Sequence, residues 1–315
     1  MPGPAPRVIV VAGPTASGKS DLALALAEAF RGVIINADSQ QRYRDFPILT
    51  AQPSAPDRAR APHFLFGDLA AHDLSTAAEW AGKAAHEIRA AAHDGRPAIV
   101  VGGSGLYLKV LMAGVVEIPA IPPHVRRTAR ALLEEVGNAE FHRRLAARDP
   151  LSAARIPAGN SQRLARAWEV VEATGTPLSQ WHDAPTHPAV AADFFSLLLM
   201  PPRESLTAAA ATRFSAMLAA GALAEIGAAL AAGIADAEPA MHALGAKELA
   251  QHLRGRLSLE EARRQAEVAT RQYAKRQSTW FRHQFNSNLT LEARYTGLMR
   301  DDILSAVDVF LKERS

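Results

Sequence analysis

The feature that most constrains the fold is residues 13–20, which match the pattern G-x-x-x-x-G-K-[ST] at every fixed position. The apolar, β-branched run 7–12 before it predicts a buried parallel strand, and the Ala- and Leu-rich run 21–30 after it predicts a helix. Glycines let such a loop turn tightly and point backbone N–H groups at phosphate oxygens, beside the positive end of the helix. The stretch therefore predicts a phosphate-binding loop made of Gly13, Pro14, Thr15, Ala16, Ser17, Gly18, Lys19 and Ser20.

Two side chains of this loop have predicted roles at the bound phosphates. Lys19 is expected to reach the terminal phosphates as a point charge, and the Ser20 hydroxyl is expected to bind a phosphate-associated Mg²⁺. The alternative interpretation is an ordinary Gly-rich turn. The predicted strand before the loop and the predicted helix after it favour the phosphate site.

A second apolar run, residues 32–37, predicts another strand and ends at Asp38. Open α/β sheets place their chemistry at the carboxyl ends of strands, so Asp38 is expected near the bound phosphates. By position alone, Asp38 could also be a helix cap or a turn residue. In a small-molecule kinase it would be a metal ligand or the base on an acceptor hydroxyl.

The segments after Asp38 complete the predicted order of strands and helices. Residues 50–62 predict an exposed excursion without regular structure, and residues 63–66 predict a short strand. A capping box with Ser75 or Thr76 as its cap opens a predicted helix that runs to about Ala92. Residues 98–101 predict a third parallel strand that runs into two glycines and leaves Ser104 at the carboxyl edge. The fold class is therefore α/β, with a P-loop-type parallel sheet flanked by helices.

The alternation of strands and helices stops at a Pro-rich stretch near residue 120. The pattern is then helical and rich in Arg up to residue 182, and residues 194–200 predict another buried strand. The helical part is therefore interpreted as an insertion into the sheet domain. We expect a catalytic core of residues 1–121 plus 186–315 and an all-helical insertion of residues 122–185.

One long helix is predicted over residues 259–285, and it has two different faces. Tyr273 and Trp280 fall on a face with several alanines, which is expected to pack. At 100° per residue, four cations on the other side lie within about 20° of one line: Arg264, Arg271, Lys275 and Arg282. Without neutralising acids, this cationic rail is best explained by a polyanionic partner.

Composition limits the class of protein. The 315 residues are 48% hydrophobic and 21% charged with a net charge of +3, and no apolar run approaches the roughly 18 residues of a membrane span. The chain has no cysteine, and its beginning lacks the pattern of a secretion signal. A cytoplasmic protein without membrane contact is expected.

Five blocks of sequence carry a family resemblance. They are Gly-Pro-Thr-Ala-Ser-Gly-Lys-Ser at 13–20, Asp-Ser-Gln-Gln-x-Tyr at 38–43, Val-Gly-Gly-Ser-Gly-Leu-Tyr at 101–107, Gln-Arg-Leu-x-Arg-Ala-x-Glu at 162–169 and Thr-Arg-Gln-Tyr-Ala-Lys-Arg-Gln-x-Thr-Trp at 270–280. In this order they resemble the tRNA dimethylallyltransferases of the bacterial type, over nearly the whole chain. The first and last blocks are much more specific than the general P-loop pattern.

The resemblance implies transfer of a dimethylallyl group from its diphosphate to N6 of the adenosine immediately 3′ of the tRNA anticodon. In that family the loop at 13–20 holds the diphosphate of the donor, so no ATP is consumed. Asp38 matches the aspartate that accepts a proton from the adenine amine, Ser104 a hydroxyl position beside the reacting base, and Arg213 an arginine at the diphosphate. Mg²⁺ would be the cofactor, with Ser20 as its protein ligand.

The resemblance also implies a surface that contacts the anticodon arm of tRNA, and a monomer. Its positions here are Asp38, Ser39, Gln40, Gln41, Ser104, Arg126, Gln162, Arg163, Leu164, Ala165, Arg166, His242, Gly245, Lys247, Arg271, Lys275, Arg276, Gln277 and Arg282. Two departures affect this surface. Gln52 stands where the family usually has Lys, and Ala246 stands where it has Tyr.

Two other functions remain open from the sequence. A small-molecule P-loop kinase would explain the first 40 residues, although it leaves the Arg-rich second half unexplained. An RNA-binding P-loop protein without catalysis would bind tRNA and would be indifferent to loss of the Asp38 carboxylate. Prenylation of free adenine nucleotides is disfavoured by the cationic rail, which a mononucleotide would not need.

Overall fold

The structure is a computed structural model that describes residues 5–116, 118–181 and 186–313. Its strands are β1 (Arg7–Ala12), β2 (Val33–Asn36), β3 (His63–Phe64), β4 (Ala98–Gly102), β5 (Asp193–Leu199) and β6 (Leu289–Leu291). Its helices are α1 (Lys19–Phe30), α2 (Ala55–Arg60), α3 (Ala77–His93), α4 (Gly105–Ala113), α5 (Pro123–Ala146), α6 (Pro150–Arg155), α7 (Ser161–Thr174), α8 (Leu178–Trp181), α9 (Arg203–Ala220), α10 (Ala222–Ala231), α11 (Ala246–Leu253), α12 (Leu259–Gln284) and α13 (Arg300–Lys312).

The six strands form one parallel sheet in the order β3-β2-β4-β1-β5-β6. Alternate residues of β1 point to opposite faces of the sheet, as strand geometry requires. Val8 and Val10 join the hydrophobic cluster that includes Trp80 of α3, whereas Ile9 and Val11 join the cluster that includes Leu22 of α1. Helices therefore cover both faces, and the predicted fold class, an α/β P-loop-type sheet, is confirmed.

The chain divides into two compact units. One comprises the residues up to Met112 together with those from Pro188 onward, and it contains the sheet. The other, Ala113–His187, is helical in its described part and has its own core around Phe141, Leu145 and Leu164. The role of residues 122–185 in contacting RNA stays a prediction.

One sequence expectation about local structure was wrong, and one strand was not predicted. Residues 50–62 contain α2, whose first turn is fixed by a reciprocal capping box between Ser54 and Asp57. The strand β6 was not predicted, because it has only three residues and lies at the edge of the sheet beside β5. Such short elements are stabilised by capping or strand-pairing partners, so the hydrophobic periodicity of the sequence does not reveal them.

Gly102 ends β4 where two chain segments approach very closely. A Cβ atom at Gly102 would lie 2.1 Å from the carbonyl carbon and oxygen of Ala37, which follows β2. The Gly102→Ala variant is therefore expected to lose about 3 kcal/mol or more of unfolding free energy, since two backbone segments would have to separate. Urea unfolding would measure the loss.

Gly82, in the interior of α3, provides the matched control. A Cβ atom there would meet nothing within 4 Å. Gly82→Ala should therefore raise the unfolding free energy by about 0.5–1 kcal/mol, because alanine favours the helix more than glycine does. Equal effects of the two substitutions would contradict this explanation of Gly102.

Candidate active site

The carboxyl ends of three neighbouring strands bring the predicted site residues together. Ala12 of β1 pairs with Gly102 of β4, and Asn36 of β2 pairs with Val101 of β4. The P-loop follows β1, Asp38 follows β2 and Ser104 follows β4, so all three leave the sheet at the same edge. This is the edge at which an open parallel sheet binds its ligands.

The P-loop has the backbone geometry that its sequence predicts. Gly13 and Gly18 have φ values of 147° and 90°, and a Cβ atom at Gly13 would lie 2.5 Å from the Leu199 carbonyl oxygen. Ala16 has a φ of 66°, which is unusual for a residue with a side chain. Lys19 lies in the first turn of α1, and its Nζ donates a 2.6 Å hydrogen bond to the Pro14 carbonyl oxygen.

Gln277 of α12 connects the P-loop to the turn after β4. Its Oε1 accepts a 2.8 Å hydrogen bond from the Thr15 backbone N–H, and its Nε2 donates a 2.9 Å hydrogen bond to the Gly103 carbonyl oxygen. A Cβ atom at Gly103 would lie 2.3 Å from the Gln277 Nε2. The glycines after β4 therefore permit close approach of α12.

Asp38 is held by the side chain of Asn36, which is fully buried. The Asn36 Oδ1 accepts a 2.8 Å hydrogen bond from the Asp38 N–H, and its Nδ2 donates a 2.9 Å hydrogen bond to the Asp38 carbonyl oxygen. The Asp38 Oδ1 accepts a 3.0 Å hydrogen bond from the Gln40 N–H, as a turn-forming aspartate would. The second carboxylate oxygen has no hydrogen-bond partner within the described residues.

Ser104 is tied to the loop that carries Asp38. Its Oγ accepts a 2.9 Å hydrogen bond from the Ser39 N–H and lies 3.2 Å from the Ser39 Oγ. Its own N–H donates a 3.1 Å hydrogen bond to the Ala37 carbonyl oxygen. The ends of β2 and β4 are thereby fixed relative to each other.

Two cations face the same cavity as Asp38. Burial lowers the pKa of Lys19 to about 7; the nearby Asp38 opposes this shift and Arg213 adds to it. Burial also lowers the pKa of Arg213, and Asp38 again acts in the opposite direction. The Arg213 guanidinium donates a hydrogen bond to the Thr15 Oγ1. A cationic site of this kind is stabilised when an anion enters it.

The cavity is lined by two chemically different sets of side chains. The polar set contains Thr15, Lys19, Ser20, Asp38 and Arg213. The apolar set contains Leu49, Phe66, Phe214, Met217 and Leu244. The arrangement can hold a ligand with a charged head and an apolar tail, with a carboxylate beside it.

Tyr273 of α12 also lines this cavity, although its helical position predicted only packing. Burial and the negative charge of Asp38 raise the pKa of its phenol, so it remains a protonated hydrogen-bond donor at neutral pH. The sequence feature that could have indicated a role in the site is the position of Tyr273 within the family block at 270–280. Periodicity gives the face of a helix but not what that face meets.

The predicted RNA-contacting residues differ in accessibility. Those with exposed side chains are Gln162, Arg163, His242, Lys247, Arg271, Lys275, Arg276 and Arg282, and those partly exposed are Ser39, Gln40, Gln41, Arg126 and Arg166. Four are buried, namely Leu164, Ala165, Gly245 and Gln277, and a contact of these four with RNA stays a prediction. Leu164 is 0% exposed in the core of the helical unit, and the Gln277 amide is fully used by the P-loop and Gly103.

The cationic rail on α12 is shorter than predicted. Arg264 forms a 2.6 Å ion pair with Glu261, so acids do neutralise its first part. Arg271, Lys275 and Arg282 have no ion-pair partner among the described residues, and they line one groove with Arg203 of α9 and one acidic residue, Glu292. The remaining rail is a solvent-facing row of mainly positive charge.

The residues that the structure describes contain no group of three or more His, Cys, Asp or Glu side chains that could hold a metal ion. They also include no individual helix with the length and apolar content needed to cross a membrane; the sharply bent pair α9 and α10 meets those limits only when taken together. Ser20 is exposed and lines the cavity next to Asp21.

This geometry defines the class: an α/β protein with a P-loop after its first strand and an acidic residue after its second. Within that class, the family model described as IPP transferase matches residues 41–284. The tRNA dimethylallyltransferase of Paramagnetospirillum magneticum is 52% identical over 282 residues, covering 90% of each chain, and that of Parvibaculum lavamentivorans is 46% identical over 310 residues, covering 98% of each. The chain belongs to the IPP transferase family, the tRNA dimethylallyltransferases.

Solved structures agree with this membership. A tRNA isopentenylpyrophosphate transferase from Staphylococcus epidermidis has a TM-score of 0.69 and 30% identity, and it matches 97% of this chain and 99% of its own. A eukaryotic dimethylallyltransferase, studied while acting on tRNA, has a TM-score of 0.80 and 26% identity, and it matches 97% of this chain and 78% of its own. The predicted family is confirmed.

Proposed function

We propose that this chain transfers a dimethylallyl group from dimethylallyl diphosphate to N6 of the adenosine 3′-adjacent to the anticodon in tRNA, as a monomer in the cytoplasm. The observation that carries the proposal is the single cavity in which the phosphate-binding residues, an apolar lining and Asp38 meet. A prenyl diphosphate combines a multiply charged head with an apolar tail in the same way. The relatives to which the chain is similar are named tRNA dimethylallyltransferases, which states the transferred group and the tRNA.

The donor would bind with its diphosphate in the P-loop and its five-carbon tail among the apolar side chains. Lys19 and Arg213 would neutralise the charge that grows on the leaving diphosphate as the carbon–oxygen bond breaks. The lowered pKa of Lys19 rises when the anion binds, so the ammonium form is present when it is needed. The diphosphate leaves with the electron pair of the broken bond.

The adenine amine would attack the first carbon of the donor from the side of Asp38. Its lone pair forms the new N6–C bond, and one N6 proton moves to the Asp38 carboxylate. An aromatic amine is a poor nucleophile, so the orientation given by Asp38 matters more than its basicity. The buried Asn36 fixes the backbone of Asp38 through two hydrogen bonds, which makes this orientation rigid.

Ser104 and Tyr273 would orient the acceptor base. Ser104 lies between the Asp38 loop and α12, and the Tyr273 phenol stays protonated beside Asp38. Extruding a base from an RNA loop costs a few kcal/mol, less than extruding one from a duplex. Hydrogen bonds and stacking at these side chains would offset that cost.

Mg²⁺, when bound, would shield the charge of the diphosphate. The donor set fits this ion, because Mg²⁺ at P-loops takes a serine hydroxyl and phosphate oxygens and keeps several waters, without a cage of acidic side chains. Ser20, exposed at the start of α1 and lining the cavity, would be its protein ligand.

The tRNA would be held by positive charge on both units. On α12, Arg271, Lys275 and Arg282 form a row of exposed positive charge. In the helical unit, Arg126 and Arg166 influence each other electrostatically, and the Arg126 Nε is buried without a hydrogen-bond partner. Contacts between such cations and phosphates make binding strongly salt-dependent.

The test is to identify the product by mass spectrometry. The protein is incubated with dimethylallyl diphosphate and an anticodon arm that carries adenosine 3′ of the anticodon, and the RNA is digested to nucleosides. We expect N6-dimethylallyl adenosine at that one position, and none in a matched arm with guanosine there. Unmodified adenosine, or equal modification of both arms, would contradict the proposal.

A further inference from the structure

The segment after β6 lies against the P-loop, and its sequence predicted no function. The Arg294 Nε donates a 3.0 Å hydrogen bond to the Ala16 carbonyl oxygen, and the Tyr295 N–H donates a 3.2 Å hydrogen bond to the Ser17 carbonyl oxygen. Both residues lie beyond the range 41–284 that the family model matches. Two consecutive P-loop carbonyls are therefore bound by one distant part of the chain.

A phosphate-binding loop needs such donors on its outer side. When its N–H groups point at a phosphate, its carbonyl groups point away and require other partners. Ala16 occupies the left-handed region with a φ of 66°, which its side chain disfavours, so this part of the loop needs external support. A Cβ atom at Gly18 would lie 3.2 Å from the Tyr295 Cβ and N atoms, so the segment also packs on the start of α1.

Arg294 also adds positive charge beside the P-loop, because its Nε lies 3.0 Å from the Ala16 carbonyl oxygen. Its side chain is exposed, and its terminal N–H groups have no partner within the described residues. Its positive charge acts with burial to lower the pKa of Arg213. Cations brought together in this way repel each other until an anion binds between or beside them.

We propose that Arg294 is a positioning residue for the diphosphate: it holds the Ala16 carbonyl in the phosphate-binding conformation, and its charge supports anion binding together with Arg213. This inference rests on the proposed function, because the anion is the diphosphate of the donor. It adds to the P-loop a part that is 278 residues away in sequence from the carbonyl it binds.

The test is calorimetric binding of inorganic diphosphate to the full-length protein and to three variants. Arg294→Ala removes the hydrogen bond and the charge, and we expect affinity to fall about tenfold or more, as for a charge-assisted hydrogen bond. Arg294→Lys keeps the charge and should stay within about threefold of the intact protein. Arg300→Ala removes an exposed cation at the start of α13 and should change nothing.

Enzyme kinetics provide a second readout that general loss of structure would not reproduce. Arg294→Ala should raise the KM for dimethylallyl diphosphate about tenfold and leave the affinity for the anticodon arm unchanged, because the hydrogen bond of Arg294 is to the P-loop. A parallel loss of RNA affinity and thermal stability would overturn the proposal in favour of a structural role.

The outcomes separate this inference from the proposed function. If the intact protein binds no inorganic diphosphate, the proposed donor site is wrong. If it binds diphosphate and Arg294→Ala binds it equally well, the inference is wrong and the proposed function stands. If Arg294→Lys is as weak as Arg294→Ala, the role of the charge is wrong.

Discussion

Asp38→Asn is expected to slow prenyl transfer in a single turnover by about a hundredfold or more, the contribution of a positioned general base. The substitution keeps the shape of the side chain and its hydrogen bond with the Gln40 N–H, so the turn after β2 stays intact. It removes the negative charge of Asp38 and, with it, the ability to accept the amine proton. The rate of label transfer from saturating donor to bound anticodon arm measures the effect.

The control for Asp38 is Asp94→Asn, which changes an exposed carboxylate after α3 in the same way. Its transfer rate should equal that of the intact protein. The affinities of Asp38→Asn for inorganic diphosphate and for RNA should change less than about threefold, since no phosphate contact is lost. An unchanged transfer rate would mean that Asp38 only forms the turn after β2, which is the alternative role that its sequence position allowed.

Lys19→Met is expected to lower kcat/KM for the donor by roughly 10²–10³, the usual loss when one charge-stabilising donor is removed from a reacting anion. Methionine fills similar space and cannot neutralise the leaving diphosphate. Lys109→Met, which changes an exposed lysine on α4, is the matched control and should keep full activity. Steady-state kinetics with dimethylallyl diphosphate measure both variants.

The same substitution should stabilise the unliganded fold. The folded Lys19 has a pKa of about 7 against an ordinary value of 10.5, so between these values the unfolded chain binds a proton that the folded chain lacks. The cost of burying Lys19 is therefore largest at and below pH 7 and disappears as pH approaches 10.5. Lys19→Met should be more stable at pH 7, by up to about 4 kcal/mol, and by little at pH 10.

Urea unfolding at pH 7 and pH 10 measures this difference, with Lys109→Met as the reference for surface effects. A gain in stability at pH 7 together with lost activity would mark Lys19 as a residue kept for binding an anion. A stability difference that does not depend on pH would contradict the assignment of the lowered pKa to Lys19.

Much of the fold followed from local sequence. The runs that became β1, β2, β4 and β5 are continuous apolar segments, and burial on both faces leaves such segments few alternatives. The P-loop has a pattern whose residue types are fixed by its geometry. In contrast, β6 has three residues and exists only through its pairing with β5.

The sequence predicted site residues at positions where the chemistry allows few residue types. It missed contacts between residues that are far apart in the chain. Lys19, Asp38 and Arg213 do face one cavity. Gln277 was assigned to RNA from the family resemblance alone, whereas its amide bridges the P-loop and Gly103 in the structure. Arg294 was missed because its contact with Ala16 spans 278 residues. Such contacts are set by the fold, and only the assembled sheet brings them together.

Prenyl transfer to RNA without nucleotide is the central claim, and a single-turnover assay with labelled dimethylallyl diphosphate tests it most directly. Excess intact protein is mixed with the donor and the anticodon arm that carries adenosine 3′ of the anticodon, with no ATP present. We expect that label moves to the RNA and that an equal amount of diphosphate is released. The proposal would be contradicted if the label remained in the donor although the protein binds the RNA, and if a parallel mixture with ATP showed ATP hydrolysis.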